Sequence, residues 1–293
     1  MSTAANHAKQ TFEAYASHDA MNCSKLMHGF TSMLALKEAI DGDYPEPTPG
    51  MLFGVDYHAL ILEPAEFKSR YVVMPNYAAD PENVDGKGSR SFSWATAYCK
   101  NKKAEFQRQA VEHGKAVITR ENFDKAVAML ESIQTKRKAR EIFAACHREV
   151  TLFGEIDGIE FKARADLLGG EYLADLKGTN SVNPRLFGST AARLRYPERM
   201  SVYRELVRQN NCQIDEAWII AVQTAKPFDC VVFPLRQHLL DEAFERVLRI
   251  TKKYKRCLAS GVWPGVDEGA DFVEFHYPNW AMDDEDELVS FSE

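Results

Sequence analysis

Two runs of alternating apolar residues, separated by a glycine pair, constrain the fold of this chain more than any other feature. The runs are GIEFKARADLL and EYLADLK, and Gly169 and Gly170 lie between them. Alternation with a period of two is typical of a β-strand, and a glycine pair between two such runs is typical of a tight turn. The sequence therefore predicts an antiparallel hairpin over residues 158–177.

A two-residue turn formed by the glycines predicts which residues of the hairpin lie opposite one another. Asp166 is then opposite Leu173, and Arg164 is opposite Asp175. Opposed residues, and residues two apart in one strand, project from the same face of a sheet. Asp166, Asp175 and Lys177 are therefore predicted to share a polar face, with the two aspartates as diagonal neighbours about 7–8 Å apart between Cα atoms.

Two carboxylates on one face repel each other unless a cation lies between them, and magnesium is a hard cation that prefers oxygen ligands. Hydrolysis of a phosphodiester uses such a metal to lower the pKa of a bound water and to neutralise the phosphate. A lysine beside the metal would orient the water or stabilise developing charge. The pattern favours metal-dependent phosphodiester hydrolysis. The alternative is that D-x-K is only an exposed polar strand face, which is common.

The remaining sequence predicts a sheet flanked by helices. Apolar spacing typical of helices covers residues 24–37, with Ser24 as the N-cap, and residues 51–63, 119–133, 136–146, 186–207 and 237–258. Further strands are predicted over residues 150–156, 216–224 and 230–235. We expect an α/β (α+β) chain with a central mixed sheet between helices and a helical elaboration on its N-terminal side.

The distribution of charge is uneven along the chain. The net charge of −7 argues at first against a nucleic-acid partner, because phosphate binding needs Lys and Arg. The last eleven residues hold six acids and no base, so the rest of the chain carries only −1. Bases cluster within residues 136–140, 193–204 and 252–256, where they are either solvated helix faces or sites for phosphate.

Two absences narrow the class of protein. Six cysteines lie far apart, with no C-x-x-C pair and no closely spaced histidines, so neither a zinc site nor an iron–sulfur cluster is expected. The longest apolar stretches fall short of about 18 residues, and no charged-then-apolar leader opens the sequence. A cytoplasmic protein is therefore expected.

Five segments, in order, resemble the PD-(D/E)XK nuclease superfamily and, within it, the RecE-type exodeoxyribonuclease VIII family of phage and prophage. They are FGVDYHALILEPAEFKSRYVVMP, REVTLF, FKARADLL, ADLKGT and RYPERMSVYREL. The resemblance runs from about residue 24 to residue 203 and implies a restriction-endonuclease-like core. On this reading, residues 1–22 are a flexible N-terminus, 23–135 a mainly helical region, 136–265 the nuclease core and 266–293 an acidic tail.

The resemblance implies roles for particular residues of this sequence. The implied catalytic residues are Lys177, Asp175, Asp166 and Glu149. The implied metal ligands are Asp166, Asp175, the Leu176 carbonyl and His58. The alternative for His58 is a buried histidine in an apolar helix. The alternative for Glu149 is an ion pair with a base such as Arg148.

The last of the five segments is implied to contact DNA or to support the lysine. Its candidates are Arg199, Tyr196, Tyr203 and Arg195. Arg199 stands where the family usually has glutamine, and an arginine could contact phosphate directly. The two tyrosines could instead simply pack against the sheet. Gly178 also separates Lys177 from the threonine that commonly follows it directly.

The resemblance implies a nuclease that digests linear double-stranded DNA from its ends, 5′ to 3′, in phage-type homologous recombination. It implies Mg²⁺ as the cofactor with Mn²⁺ as a substitute, a homo-oligomeric ring, and a single-strand annealing protein as partner, without a membrane. The alternatives are an endonuclease or single-strand-specific nuclease of the same superfamily, a non-catalytic DNA-binding protein of this fold, and an unrelated α/β binding protein.

Overall fold

A six-stranded mixed β-sheet forms the centre of the structure, and two further strands form a small parallel sheet. The computed structural model describes residues 12–42 and 46–277. The strands are β1 (Met21–Asn22), β2 (Tyr71–Val73), β3 (Ala116–Ile118), β4 (His147–Ile156), β5 (Ile159–Gly169), β6 (Tyr172–Thr179), β7 (Glu216–Gln223) and β8 (Cys230–Leu235). Residues 1–11 of the expected flexible N-terminus and the six acids of the expected tail lie outside the described residues.

Strand β5 is the centre of the large sheet because it has three neighbours. Strand β4 runs antiparallel to β5 from His147 opposite Leu168 to Ile156 opposite Ile159, with one break in the pairing at Glu149. On its other edge, β5 pairs in parallel with β1 at residues 161–162 and antiparallel with β6 at residues 167–169. Strand β6 then runs parallel to β7, which pairs antiparallel with β8. The predicted central mixed sheet is confirmed.

Helices cover both faces of this sheet. They are α1 (Phe12–Ser17), α2 (Cys23–Met27), α3 (Met33–Asp41), α4 (Pro49–Leu62), α5 (Pro64–Arg70), α6 (Ala97–Glu112), α7 (Arg120–Thr135), α8 (Arg137–Ala145), α9 (Pro184–Arg193), α10 (Tyr196–Gln209) and α11 (Gln237–Ser260). Neighbouring residues of β6 enter different cores, since Leu173 packs with α10 and α11 while Ala174 packs with α4 and α7. This alternation is expected of a strand buried on both faces.

The predicted helix over residues 24–37 is wrong in one respect, because the chain forms two helices there. Helix α2 is capped by Asn22 and not by Ser24: the Asn22 side chain accepts a hydrogen bond from the Lys25 N–H at 2.8 Å. Ser32 then caps α3 by accepting from the Ala35 N–H at 3.0 Å. A short polar side chain that binds the backbone N–H groups ahead of it starts a new helix.

The predicted helix over residues 186–207 also divides in two. Helix α9 ends at Arg193, and Arg195 takes a left-handed conformation with φ of 58° before α10 begins. Pro197 lies in the first turn of α10 and has no N–H to donate to the carbonyl of Arg193 four residues earlier. One continuous helix is therefore interrupted at this point, and the break turns α10 onto the sheet.

The hairpin register predicted from a turn at the two glycines is wrong by two residues. Gly169 pairs with Tyr172 as part of the ladder, so the turn consists of Gly170 and Glu171. A Cβ atom on Gly169 would lie 2.8 Å from the Ala145 carbonyl oxygen at the end of α8. Glycine is thus required here by the close approach of a helix end, and not as the first residue of the turn.

Residues 64–118 contain elements that the sequence analysis did not predict, namely α5, β2, α6 and β3. Helix α6 buries only Cys99 and Ala110, so its apolar stripe is too sparse to show a clear helical period. Strands β2 and β3 are three residues each and pair in parallel with each other. Such short strands depend on contacts distant in sequence and leave little local pattern.

Replacing Gly169 with alanine is expected to destabilise the protein by about 1–3 kcal/mol, because the added methyl group meets backbone atoms of α8. Thermal unfolding measures the change. Gly188→Ala is the matched control: Gly188 lies in α9 with open space around its absent side chain, and alanine there should stabilise by up to about 1 kcal/mol. Equal melting temperatures for wild type and Gly169→Ala would contradict this account of the glycine.

Candidate active site

The ladder between β5 and β6 stops one residue short of Asp166. Its last pair is Leu167 with Ala174, and from Asp175 onward β6 pairs with β7 alone among the described strands. The register places Asp166 and Asp175 directly opposite each other. This corrects the predicted arrangement, in which the aspartates were diagonal neighbours and Arg164 faced Asp175. Because the shift is two residues, both aspartates still belong to one face.

Glu149 lies opposite Asp166 on the other neighbour of β5. The register of β4 with β5 includes the residues on either side of Glu149 but not Glu149 itself, which has a left-handed backbone with φ of 52°. A non-glycine residue with positive φ is uncommon, and such residues cluster at functional positions. Glu149, Asp166 and Asp175 therefore form one row across three strands, at the point where both ladders are interrupted.

Side chains take over the hydrogen bonds that β6 loses where it leaves β5. The Leu176 N–H donates to Asp166 Oδ2 at 2.7 Å, and the Gly178 N–H donates to the Tyr57 hydroxyl at 2.6 Å. A Cβ on Gly178 would lie 2.8 Å from the Thr224 methyl group and 2.9 Å from that hydroxyl oxygen, so the close approach of Thr224 and Tyr57 favours glycine after Lys177. Sequence reasoning missed Tyr57, because a tyrosine in an apolar helix resembles any core residue.

His58, Glu149 and Asp166 meet where β6 separates from β5, at a gap in the sheet that we call the opening. One ligand atom from each lies within 4.8 Å of the other two, and His58 Nδ1 is 3.8 Å from Asp166 Oδ2. Helix α4 supplies the histidine, β4 the glutamate and β5 the aspartate, so the group forms only when the three elements pack together. In the described part of the chain it is the one group of three side chains with this spacing.

The electrostatics of this group favour a bound cation. Burial and the charge of Asp166 together raise the pKa of Glu149 to about 7. Burial and the charge of Asp175 raise the pKa of Asp166. Burial lowers the pKa of His58, so its ring is neutral at pH 7 and offers a nitrogen lone pair. Crowded carboxyl groups beside a neutral imidazole fit a divalent ion such as magnesium or manganese, whose charge offsets the cost of burying the acids.

Asp175 and Lys177 form an ion pair next to the three-ligand group. Lys177 Nζ lies 2.5 Å from Asp175 Oδ2 and 3.4 Å from the Leu176 carbonyl oxygen. Burial alone would lower the pKa of Lys177, but Asp175 and Asp166 outweigh it, and the pKa lies above its ordinary value. The ammonium group is therefore charged at neutral pH. Asp175 lies outside the three-ligand group, with its carboxylate paired to Lys177.

A chain of charged side chains connects Glu149 to α4 and α5. Arg164 Nε donates to Glu149 Oε2 at 2.6 Å, so the base paired with Glu149 is Arg164 and not Arg148. Arg164 Nη2 also lies 3.5 Å from Glu63 Oε1, and Glu63 pairs with Arg70 at 2.6 Å. The sequence analysis placed Arg164 in the hairpin without a role and missed Glu63, since nothing local indicates that a residue after α4 reaches β5.

Arg199 lies beside this row of acids and not on the outer surface. Its Nε is buried and has no hydrogen-bond partner among the described residues. Burial would lower the pKa of Arg199, but Tyr203 and Asp175 outweigh it and the pKa is raised. Tyr203 packs against the core formed by α10, α11 and the sheet. Arg199 and Tyr203 therefore both lie close enough to Asp175 for its charge to affect their pKa values.

Tyr196 and Arg195 lie at the start of α10. Tyr196 is buried against Phe187, and its ring centroid is 5.4 Å from Lys177 Nζ. Arg195 is more exposed, and its guanidinium group stacks on Phe30 at 4.7 Å from the ring centroid. Of the four candidates for DNA contact, Tyr196 thus lies next to Lys177, and Arg195 is partly exposed to solvent.

A family model described as "PDDEXK-like domain of unknown function (DUF3799)" matches residues 23–275. The chain belongs to this family. Every predicted site residue lies within the matched range. The predicted membership of the PD-(D/E)XK superfamily is confirmed, whereas the narrower RecE-type assignment stays a prediction. No curated protein matches the chain significantly.

Two solved structures that are described as exonucleases match this chain to different extents. A crystal structure described as a "Putative exonuclease" from Eubacterium rectale is 16% identical, with a TM-score of 0.59 over 94% of this chain and 99% of that one. A phage-related exonuclease from Haemophilus somnus 129PT is 17% identical over 57% and 85% of the two chains, but its TM-score of 0.30 is too low to support an argument. The similarity to the Eubacterium rectale protein shows that the two chains share a fold.

Family and fold together support a hydrolytic nuclease, and nucleases of the PDDEXK fold depend on a metal. The group formed by His58, Glu149 and Asp166 has the residue types and spacing that a metal site requires. Within the described residues, no helix combines the length and apolar character needed to cross a bilayer.

Arg164→Met is expected to weaken Mn²⁺ binding by about 10- to 100-fold, because Glu149 loses the guanidinium group that orients it. Isothermal titration calorimetry measures the affinity. Arg164→Lys should restore part of it, since a single ammonium group can reach one carboxylate but not both. Arg137→Met, at a highly exposed position of α8, is the matched control and should bind as wild type does. An unchanged affinity in Arg164→Met would contradict the orienting role.

Proposed function

We propose that this PDDEXK family member is a magnesium-dependent deoxyribonuclease that digests linear double-stranded DNA from its ends, 5′ to 3′. The observation that carries the proposal is the convergence of His58, Glu149 and Asp166 beside the Asp175–Lys177 ion pair. A nuclease fold implies DNA as the substrate. The exonuclease description of the Eubacterium rectale protein supports attack from an end, as does the resemblance of the sequence motifs to the RecE-type family.

In the proposed site, His58, Glu149 and Asp166 would hold the metal ion, and Asp175 and the Leu176 carbonyl would be further ligands. Mg²⁺ is the proposed ion, and Mn²⁺ substitutes for it because a site with one imidazole and several oxygens accepts both. When bound, the ion lowers the pKa of a coordinated water and offsets the charge on the phosphate. The remaining chemistry belongs to side chains of this chain.

Lys177 is the proposed partner of the attacking water and of the phosphate oxygens. Asp175 keeps its ammonium group charged and in place, and the surrounding burial strengthens the interaction of that charge with an anion. The ring of Tyr196 lies beside Nζ and limits the directions that the side chain can take. Lys177 can therefore donate hydrogen bonds at the reacting phosphate without a large rearrangement.

Arg199 is the proposed contact to a phosphate of the bound strand. A buried guanidinium N–H without a partner is costly, and a phosphate oxygen would satisfy it with a charge-assisted hydrogen bond. Tyr203 supports Arg199 from the core side. Arg195, at the solvent edge of the same helix start, is positioned for a more distant phosphate.

The wider setting follows from the resemblance to RecE-type exodeoxyribonucleases. We propose a homo-oligomeric ring in which basic surfaces line a channel for DNA and acids face outward, an arrangement that accommodates a net charge of −7. The 3′ single strand left by the nuclease would pass to a single-strand annealing protein in homologous recombination. Such an activity belongs in the cytoplasm of a bacterial cell.

The proposal is tested with linear duplex DNA labelled at the 5′ or the 3′ end, beside a covalently closed circle, with and without magnesium. Wild-type protein should release the 5′ label first, only with a divalent ion, and leave the circle intact. Lys177→Ala should lower the rate by at least about 100-fold, because a preorganised charge at the phosphate is lost. Lys255→Ala, an exposed lysine of α11, should cleave at the wild-type rate.

The possible outcomes separate the alternatives. Cleavage of the circle would overturn end dependence and indicate an endonuclease, and selective cleavage of single strands would indicate a single-strand-specific nuclease. No cleavage with either magnesium or manganese would make a non-catalytic DNA-binding protein the better description. Wild-type activity in Lys177→Ala would contradict the assignment of that lysine.

A further inference from the structure

A groove with a volume of about 710 Å³ lies between α6, the start of α7 and the loop that precedes α6. Its lining includes Met74, Trp94, Lys100, Lys103, Thr119 and Arg120. None of the residues assigned to the candidate active site lines it. Except for Met74, which lies near the end of the first of the five segments, these lining residues lie outside the segments that carry the family resemblance.

The loop that forms one wall of the groove is held in place by Asn83. The amide nitrogen of this buried residue lies 3.2, 2.8 and 3.3 Å from the carbonyl oxygens of Ala78, Ser91 and Ser93, which share its two N–H donors, and the amide oxygen accepts from the Thr96 hydroxyl at 2.6 Å. A buried amide with all these bonds fixes the loop at several points. The residues at its exposed end are therefore presented in a defined position.

That loop exposes two large aromatic side chains. Trp94 is 45% exposed and Phe92 is 68% exposed. Trp94 contacts Tyr77 edge-on at 6.4 Å between ring centroids, and Tyr77 contacts Phe106 of α6 in the same way. The Trp94 ring is thus partly exposed and is held against a second aromatic ring. Arg90 lies over the Phe92 ring at 5.0 Å, so a positive charge accompanies the second ring.

The charge of the groove is positive once its internal pairs are considered. Lys100 and Lys103 are exposed on one face of α6, and neither has an ion-pair partner among the described residues. The acids of the groove are already paired: Asp124 lies 3.7 Å from Arg120, and Glu121 lies 2.6 Å from a lysine one turn along α7. Two free ammonium groups therefore lie beside an accessible indole.

We propose that this groove binds single-stranded DNA, with a base stacked on Trp94 and neighbouring phosphates bound by Lys100 and Lys103. Stacking needs a base whose face is free, which a duplex does not offer within its length. Lysines on one helix face track a phosphate backbone without reading sequence. In the proposed nuclease such a site would hold the strand that is not digested, but the binding itself does not depend on cleavage.

The test measures the binding of fluorescein-labelled oligothymidylate by anisotropy in EDTA, where cleavage cannot occur. Trp94→Ala should weaken binding by about 5- to 100-fold without changing the salt dependence, since stacking is lost but no phosphate contact is. Lys100→Gln with Lys103→Gln should reduce the slope of log affinity against log salt by about 1.4. Trp94→Phe should retain most of the affinity, and duplex binding by Trp94→Ala should stay within about twofold of wild type.

Lys252→Gln with Arg256→Gln is the matched control, because it removes two charges from exposed positions of α11 far in sequence from the groove. This control should bind oligothymidylate more tightly than the Lys100/Lys103 variant does. If the two double variants lost the same affinity for oligothymidylate, net charge alone would explain the loss, and the proposal would be overturned. So would oligothymidylate binding by Trp94→Ala within twofold of wild type, or a change in oligomeric state as the sole effect of Trp94→Ala.

Discussion

The hydrogen bond from the Leu176 N–H to the Asp166 carboxylate is the contact on which the rest of the site depends. It replaces a bond of the sheet ladder at the position where β6 separates from β5. Without a substitute acceptor, the opened edge would leave a buried N–H unpaired, at a cost of about 1–3 kcal/mol. One oxygen of the Asp166 carboxylate therefore has a structural role. The same bond places this carboxylate where Glu149 and His58 can reach it.

The opening also sets the balance of charge around the site. Glu63, Glu149, Asp166 and Asp175 lie within reach of Arg164, Lys177 and Arg199; the two aspartates are buried and the other five residues are half-buried. Each base is committed to an acid or lies beside one, yet the pKa values of Glu149 and Asp166 remain raised. The bases of the protein alone do not offset the cost of burying these carboxylate charges. In the proposed function, a divalent cation completes the balance for the acids and a phosphate completes it for Lys177 and Arg199.

Local patterns in the sequence were sufficient for the hairpin and for the grouping of Asp166, Asp175 and Lys177. The predicted register differed from the structure by two residues, and a shift of two leaves every side chain on its original face. The reason for the shift is not local, because Gly169 is required by the end of α8, which is distant in sequence. Tyr57 and Glu63 could not be predicted for the same reason: each reaches the site through tertiary packing of α4.

Anomalous diffraction from crystals grown or soaked with Mn²⁺ tests the central claim most directly, namely that His58, Glu149 and Asp166 hold one divalent ion. The account predicts an anomalous peak bound by these three side chains, at about 2.1 Å from the carboxylate oxygens. The same peak should be lost in crystals of Asp166→Asn. A well-occupied peak elsewhere in the chain, or none at this position at saturating Mn²⁺, would contradict the claim.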